Sequence, residues 1–278
     1  FTGYGGNTLF FSWGIFSDSR TYKMHENIIK LLSYSFIKDQ VFASVLYETP
    51  HRLDAAGIRP DKNGFYIIKE NDSRLNLIKN DFEKIKEITD DDNFLRINGR
   101  PVIYLYESKA LRGNVRYFIQ IISTPFERER NKPFFVSDHA LPLAYPPYSE
   151  WIEIAKLFDG WTMWAGGYLR DMNYTLSYYK QGVEGWKNEA IKYNKLFMPS
   201  VLPGFNDPNT FCIPYERDPS NFKKALGIAL NNSYVPNSSK VFIRIDTLDE
   251  YREATALGPT IEEKYTFLEI LENSLKKW

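Results

Sequence analysis

Short apolar runs rich in β-branched and aromatic residues recur along this chain, separated by amphipathic stretches with helical spacing. The alternation predicts strands near Thr8–Trp13, Val41–Glu48, Pro101–Glu107, Pro133–Asp138, Phe158–Trp164, Leu196–Leu202 and Lys240–Thr247. Helices are predicted near His25–Lys38, Leu75–Ile88, Gly113–Ser123, Ser149–Leu157, Gly182–Tyr193, Ser220–Leu230 and Ile261–Lys276. The clearest, Leu75–Ile88, sets Leu75, Ile78, Phe82 and Ile85 on one face. A strand–helix–strand order leads to parallel strands, because parallel neighbours need a crossover that a helix can supply. A closed barrel and a doubly wound sheet both satisfy that order. The chain has 278 residues, and α/β barrels commonly run to about 250 as one domain. Seven runs are one short of a closed eight-stranded barrel. The eighth strand is expected before Phe1, in the Phe1–Gly6 stretch, or within a stretch that the pattern assigns to something else. There is no internal repeat, no low-complexity segment and no linker rich in Pro, Gly or Ser, so one domain over 1–278 is expected.

Composition removes several function classes. Lys plus Arg number 35 and Asp plus Glu 35, so the net charge is zero and no general attraction to nucleic acid or an anionic membrane is expected. No apolar run approaches the roughly 18 residues of a membrane helix. A lone cysteine, Cys212, with three histidines leaves no Cys/His zinc cage, and no metal is expected. Gly3-Tyr4-Gly5-Gly6 precedes the first strand and lacks dinucleotide spacing; a P-loop and Gly-x-Ser-x-Gly are missing too. No cofactor is therefore expected. The chain does not begin with Met, so a leader or larger N-terminal piece is expected ahead of it. Sequons at Asn71, Asn173, Asn231 and Asn237 lean towards an exported or extracellular protein. Aromatic residues make up 16%. Most belong in a core, but Tyr and Trp also offer an apolar face and a polar tip to a sugar ring.

In a barrel, chemistry sits at the C-terminal ends of the strands. The run at 41–47 ends in Glu48-Thr49-Pro50-His51, and that at 101–106 in Glu107. The next runs lead into Ser137-Asp138-His139, then Trp164 after Trp161, then Asn206-Asp207, then Asp249-Glu250-Tyr251-Arg252-Glu253. Carboxylates accept hydroxyl hydrogen bonds and aromatic faces cover sugar C–H faces. This marks Glu48, Tyr104, Tyr106, Asp138, His139, Trp161, Trp164, Asp207, Tyr251 and Arg252 as candidate substrate contacts. Each has a plainer role: Glu48 capping a helix or pairing with Arg52, Asp138 and His139 bonding within a loop, the tryptophans packing a core. Alternation puts Arg244 and Asp246 on one strand face, where a structural salt bridge is expected. Glu250 and Glu253, three apart, point the same way if the segment turns helically. Glycoside cleavage needs such a carboxyl pair.

The stretch Ile245–Pro259 resembles the Asn-Glu-Trp-His-Glu-Gly-Thr segment, followed by Glu-Pro, of glycoside hydrolase family 99, the endo-α-mannosidase and endo-α-mannanase family. Phe94–Tyr106, with Asn-Gly before Arg-Pro-Val, is similar to that family's kinked lead into a strand. Phe197–Asp207 resembles its seventh strand, Phe158-Asp-Gly-Trp161 its sixth and Ser12-Trp13-Gly14 the end of its second. The resemblance implies a (β/α)8 TIM-type barrel lacking, or having an atypical, first β/α unit, with a partner segment able to supply the missing strand. It implies a retaining endo-acting glycosidase on α-mannoside-like oligosaccharides or polysaccharides. Glu250 would be the base on the sugar 2-hydroxyl, which attacks its own anomeric carbon, and Glu253 the acid and then base to water. Glu48 would match a family residue that contacts sugar.

Both glutamates survive while their neighbours differ: Asp249 for Asn, Tyr251 for Trp, Arg252 for His, Ala254 for Gly and Gly258 for the Glu before Pro. Arg252 lowers nearby carboxyl pKa values, which opposes a general acid. A catalytically silent barrel that binds glycan or serves as a structural subunit is the alternative, and a barrel enzyme with a ligand other than sugar is the third reading.

Overall fold

The computed structural model describes residues 8–14, 23, 26–27, 30, 42–126, 132–140, 149–163, 172–206, 216–247, 254 and 256–276 (for 149 and 172–175 the backbone alone). They fall into two compact units, one of residues 7–138 and 153–159 and the other of residues 1–6, 139–152 and 160–278. The main strands are parallel and alternate with helices, so the chain is an α/β protein.

In the first unit, β1 (Thr8–Trp13), β2 (Phe42–Glu48), β5 (Arg100–Tyr106) and β7 (Phe134–Ser137) pair in that order, all parallel. The register sets Trp13 beside Tyr47 and Glu48 beside Tyr106, so neighbouring strands end together. A hairpin precedes β5. β4 (Arg96–Ile97) lies antiparallel to it across Asn98-Gly99, with φ of 52° and 78°. Two successive positive φ values are what a two-residue turn needs to match strand twist, and Asn-Gly is the pair that tolerates them best. This is the kink expected before Arg100-Pro101.

Helix α2 (Asn76–Thr89) buries Ile78, Phe82, Ile85 and Ile88. With the start at Leu75, these are the residues expected from their three- and four-residue spacing. Helix α3 (Val115–Ser123) is started by Asn114, whose side chain accepts from Tyr117 N–H. Together with Trp13, Val45, Tyr47, Phe94, Ile103, Phe118, Phe135 and Phe158 they form one apolar core. At its edge Arg52 donates to Asp81 through Nε (2.7 Å) and Nη2 (2.8 Å), and Tyr47 Oη adds a third bond at 2.7 Å. The residue with the forked pair is thus Asp81. Burial first, then the Asp81 charge, pushes the Tyr47 phenol well above its ordinary pKa.

The second unit holds β8 (Gly160–Thr162) parallel to β9 (Leu196–Met198), and β10 (Ser200–Val201) parallel to β11 (Arg244–Ile245). The run expected as one strand over Leu196–Leu202 is split at Pro199, which has no N–H to give to a ladder. The last strand is shorter than expected. Ser233 Oγ accepts from Phe242 N–H (2.9 Å) and donates to its carbonyl (2.8 Å), so a side chain takes the bonds a strand would use there. Arg244 and Asp246 are buried and ion-paired, the structural role their alternation suggested. Helix α4 spans Ser149–Ala155, and helix α5 (Met172–Tyr193) begins ten residues before the expected Gly182; a helical glycine is tolerated. Helices α6 (Pro219–Asn232) and α7 (Thr266–Leu275) meet at Phe222 and Phe267, whose ring centroids are 5.3 Å apart.

Four short elements escaped the sequence pattern: helix α1 (Thr49–Ala55), β4, and the small parallel pair β3 (Tyr66–Ile68) and β6 (Leu111–Gly113). In the three strands, two or three residues are too few for alternation to register. Most of the expected helix His25–Lys38 lies outside the described residues, as does Phe1–Gly6.

Candidate functional site

The C-terminal ends of β1, β2, β5 and β7 carry Ser12, Glu48, Glu107 and Asp138. Glu48 is the residue before helix α1, yet its side chain makes no capping bond. Pro50 opens that helix, and Pro at this position needs no hydrogen-bond partner for its nitrogen. Arg52, the other expected partner, is committed to Asp81. The carboxylate instead takes a hydrogen bond from Ser12 Oγ at 2.7 Å and lies 3.4 Å from His51 Nδ1. Glu48 is 6% exposed, whereas the His51 side chain is 56% exposed. Burial raises the Glu48 carboxyl pKa; Ser12 and His51 pull it down and the Glu107 charge pushes it up.

Glu107 follows β5 with φ 52°, a left-handed conformation uncommon outside Gly and Asn. Asp138 holds that turn. Fully buried, it accepts from Glu107 N–H (2.8 Å), Ser108 Oγ (3.1 Å), Lys109 N–H (3.2 Å) and Lys109 Nζ (3.1 Å). Lys109 Nζ also reaches Glu107 Oε1 at 3.3 Å. Burial alone would lower the Lys109 pKa, but the Asp138 and Glu107 carboxylates outweigh it and raise it. The turn therefore keeps a positive charge between two negative ones.

The other expected contacts divide. Tyr104 is fully buried, its ring edge-on to Phe10 and Tyr106 at 6.3 Å each, while Tyr106 is half-buried. His139, in the second unit, is fully buried; its carbonyl accepts from Trp151 Nε1 at 2.8 Å and its ring stands edge-on to that indole. Trp161 is fully buried against Trp186, 5.7 Å between centroids, a packing role. Trp164, Asp207, Glu250, Tyr251, Arg252 and Glu253 lie outside the described residues.

Besides Ser12 and Ser108, three charged or ionisable neighbours of Glu48 and Asp138 stand outside the residues the sequence marks as candidates. His51 was legible as the residue three after Glu48, on the same side of a helical start. Glu107 was visible as the residue closing its run. Lys109 carried no signal, because its role depends on an aspartate 29 residues away. Among the described residues no group of three His, Cys, Asp or Glu is arranged to hold a metal ion. No described helix is long and apolar enough to cross a membrane. Chemically, the ends of β1 and β2 offer a shielded carboxylate, a hydroxyl and a half-exposed imidazole, acceptors and donors suited to neutral hydroxyl groups.

No known sequence family matches the chain, and no curated protein does. Solved structures do. A glycoside hydrolase-like protein aligns at TM-score 0.73 and 14% identity over 96% of this chain and 81% of its own. A family 99 endo-α-mannosidase from Bacteroides thetaiotaomicron aligns at TM-score 0.56 and 16% identity over 98% of this chain and 96% of its own. A fungal β-1,4-galactanase aligns at TM-score 0.63 and 10% identity over 98% and 89%. At these identities the likeness shows the fold alone: an α/β fold of the (β/α)8 barrel type.

Proposed function

We propose that this chain is a retaining, endo-acting glycoside hydrolase on α-mannoside-like glycans. The feature that carries the reading is sequence order: Glu250 and Glu253 follow the last residue of β11, Ile245, by five and eight positions, and barrel enzymes draw their chemistry from the segments after their strands. The endo-α-mannosidase and galactanase names among the structural neighbours support a carbohydrate substrate. In this mechanism Glu250 removes the proton of the sugar 2-hydroxyl, and that oxygen attacks the anomeric carbon. Glu253 donates a proton to the leaving oxygen. It then takes a proton from water, which opens the intermediate, and the 2-hydroxyl recovers its proton from Glu250. Two inversions leave net retention. Within the first unit, Glu48, with Ser12 and His51, accepts sugar hydroxyl bonds, and Tyr106 offers a half-buried ring.

A second reading has its own support. Asp249, Tyr251 and Arg252 replace the motif residues around the two glutamates, and an arginine next to Glu253 in sequence would oppose a general acid if the two paired. That favours a silent barrel that binds glycan. Hydrolysis of a panel of α-linked glycans separates the two. The enzyme reading expects cleavage by the wild type and a drop of ~10²–10⁴-fold in turnover for Glu250→Gln and for Glu253→Gln, with oligosaccharide binding retained. Binding without hydrolysis by the wild type selects the silent barrel.

A further inference from the structure

Asn-x-Ser/Thr sequences occur at Asn71, Asn173, Asn231 and Asn237, and an oligosaccharide can be attached to such an asparagine. The transfer uses two side-chain groups, the asparagine amide and the hydroxyl two residues on. Both must reach one enzyme site together. Three of the four asparagines differ in how far they allow this; the side chain of Asn173 lies outside the described residues.

Asn71 follows β3 in the first unit, is exposed and has φ 58°. Gly and Asn tolerate left-handed backbone best, so the residue suits its turn. Ser73, also exposed, opens a single 3-10 turn over Ser73–Leu75. Asp72 between them turns its carboxylate to Arg74, accepting from Nε at 2.9 Å and from Nη2 at 2.6 Å. Among the described residues neither the Asn71 amide nor the Ser73 hydroxyl has a hydrogen-bond partner. Asn237 is placed similarly in the second unit. Pro236 and Asn237 are the centre of a turn closed by Ser238 N–H to Val235 O at 3.2 Å, and Asn237 too has φ 58°. Pro followed by Asn suits a turn with positive φ at its third residue. Asn237 and Ser239 are exposed, and the amide and the hydroxyl have no partner among the described residues.

Asn231 is exposed as well, but it sits in the last turn of α6. Residues two apart on a helix do not face each other, so amide and hydroxyl diverge. Asn231 Nδ2 donates to Gly227 O at 2.8 Å. Ser233 Oγ is held between Phe242 N–H at 2.9 Å and Phe242 O at 2.8 Å. Both groups that the transfer needs are committed to the fold.

We propose that Asn71 and Asn237 are glycan attachment sites and that Asn231 is not. The donor is a lipid-diphosphate-linked oligosaccharide, used by a membrane-bound transferase of an export pathway. The amide nitrogen bonds to the anomeric carbon, the carbon–oxygen bond to the diphosphate breaks, and the lipid diphosphate leaves as the nitrogen loses a proton. Sugars on either turn stay in water and displace no contact of the fold. Neither site depends on the glycosidase reading.

The full chain is expressed behind a cleavable leader in a eukaryotic secretory cell, and secreted and retained protein are both analysed. Peptide N-glycosidase in heavy-oxygen water turns each modified Asn into labelled Asp, which mass spectrometry assigns by position. Label is expected at Asn71 and Asn237 and none at Asn231. Ser73→Ala and Ser239→Ala should each remove one glycan from the intact mass, and the double variant two. Ser73→Thr and Ser239→Thr, which keep a hydroxyl, should remove neither. The hydroxyl is changed rather than the asparagine, because Gln in left-handed backbone would add strain. Ser233→Ala should lower the melting temperature, having lost both bonds to Phe242, with the glycan mass unaltered. An unlabelled Asn71 or Asn237 overturns the assignment of that site. Label at Asn231, or a glycan lost in Ser233→Ala, overturns the rule that separates it from the other two.

Discussion

Glu48 at the end of β2 and Asp138 just past β7 are both shielded from water, and sequence position alone gives them equal standing. Their surroundings separate them. Asp138 has donors on both oxygens: Glu107 N–H and Lys109 Nζ on Oδ2, Ser108 Oγ and Lys109 N–H on Oδ1. A carboxylate has about four acceptor positions, so these four bonds fill it. Glu48 has a single hydroxyl donor on Oε1 and an imidazole at 3.4 Å from Oε2 among the described residues. The difference teaches that donor count, more than burial, tells a carboxylate that builds a turn from one with capacity for a ligand.

The largest expected effect tests the structural half of that contrast. Asp138→Ala removes the acceptor for two backbone N–H groups and leaves the Lys109 ammonium, among the described residues, with half-exposed Glu107. Breaking a buried, hydrogen-bonded ion pair typically costs about 3–5 kcal/mol. Urea unfolding should show a loss of that order. A loss under about 1 kcal/mol would mean that the turn at Glu107 stands by itself, and Asp138 would return to the ligand-facing class.

Glu48→Gln tests the other half. Gln keeps the shape and one acceptor oxygen but not the charge. If Glu48 accepts sugar hydroxyls, oligosaccharide affinity should fall about tenfold, as hydrogen bonds to charged groups contribute ~1.5–3 kcal/mol. Calorimetric titration reads it, and equal affinity would remove Glu48 from the binding set. The same variant has a pH signature. Because burial raises the folded-state pKa above the unfolded one, the folded protein holds the proton more tightly. That contribution to stability is fully present below the ordinary glutamate value and is lost as pH rises through the raised folded value. Glu48→Gln should flatten the fall in stability across that window; an unaltered slope contradicts the assignment.

The comparison also shows which parts were legible. Strand β1 appears at the expected bounds, and β2, β5 and α2 within a residue or so, because each has enough apolar repeats to fix a period. Glu48 was visible as the residue closing a run. Its partner Ser12 lies 36 positions away, brought in by the β1–β2 register, which composition does not encode. Asp138 looked equivalent to Glu48 because the donors that fill it come from a turn about 30 residues earlier. Trp161 likewise looked like a sugar platform until the edge of Trp186 covered it. What failed in each case was the count of neighbours, a property of packing.

The smallest expected effect lies between the two carboxylates, at Glu107. This residue borders both: its N–H serves Asp138, its side chain meets Lys109, and its charge pushes the Glu48 pKa up. The side chain is 40% exposed, so water screens its pairing with Lys109. Exposed or half-exposed pairs contribute about 0–1 kcal/mol. Glu107→Gln leaves the backbone N–H and the Asp138–Lys109 bond in place, so stability should change by no more than about 1 kcal/mol. The removed charge should let the Glu48 carboxyl titrate slightly lower, visible as a shift in its carbon-13 carboxyl resonance during a pH titration. The direction follows from losing a like charge nearby. Should Glu107→Gln unfold the chain as readily as Asp138→Ala, Glu107 would belong to the buried turn. An unmoved Glu48 titration would mean that the two carboxylates do not share a field, and the ends of β2 and β5 would have to be treated as separate sites.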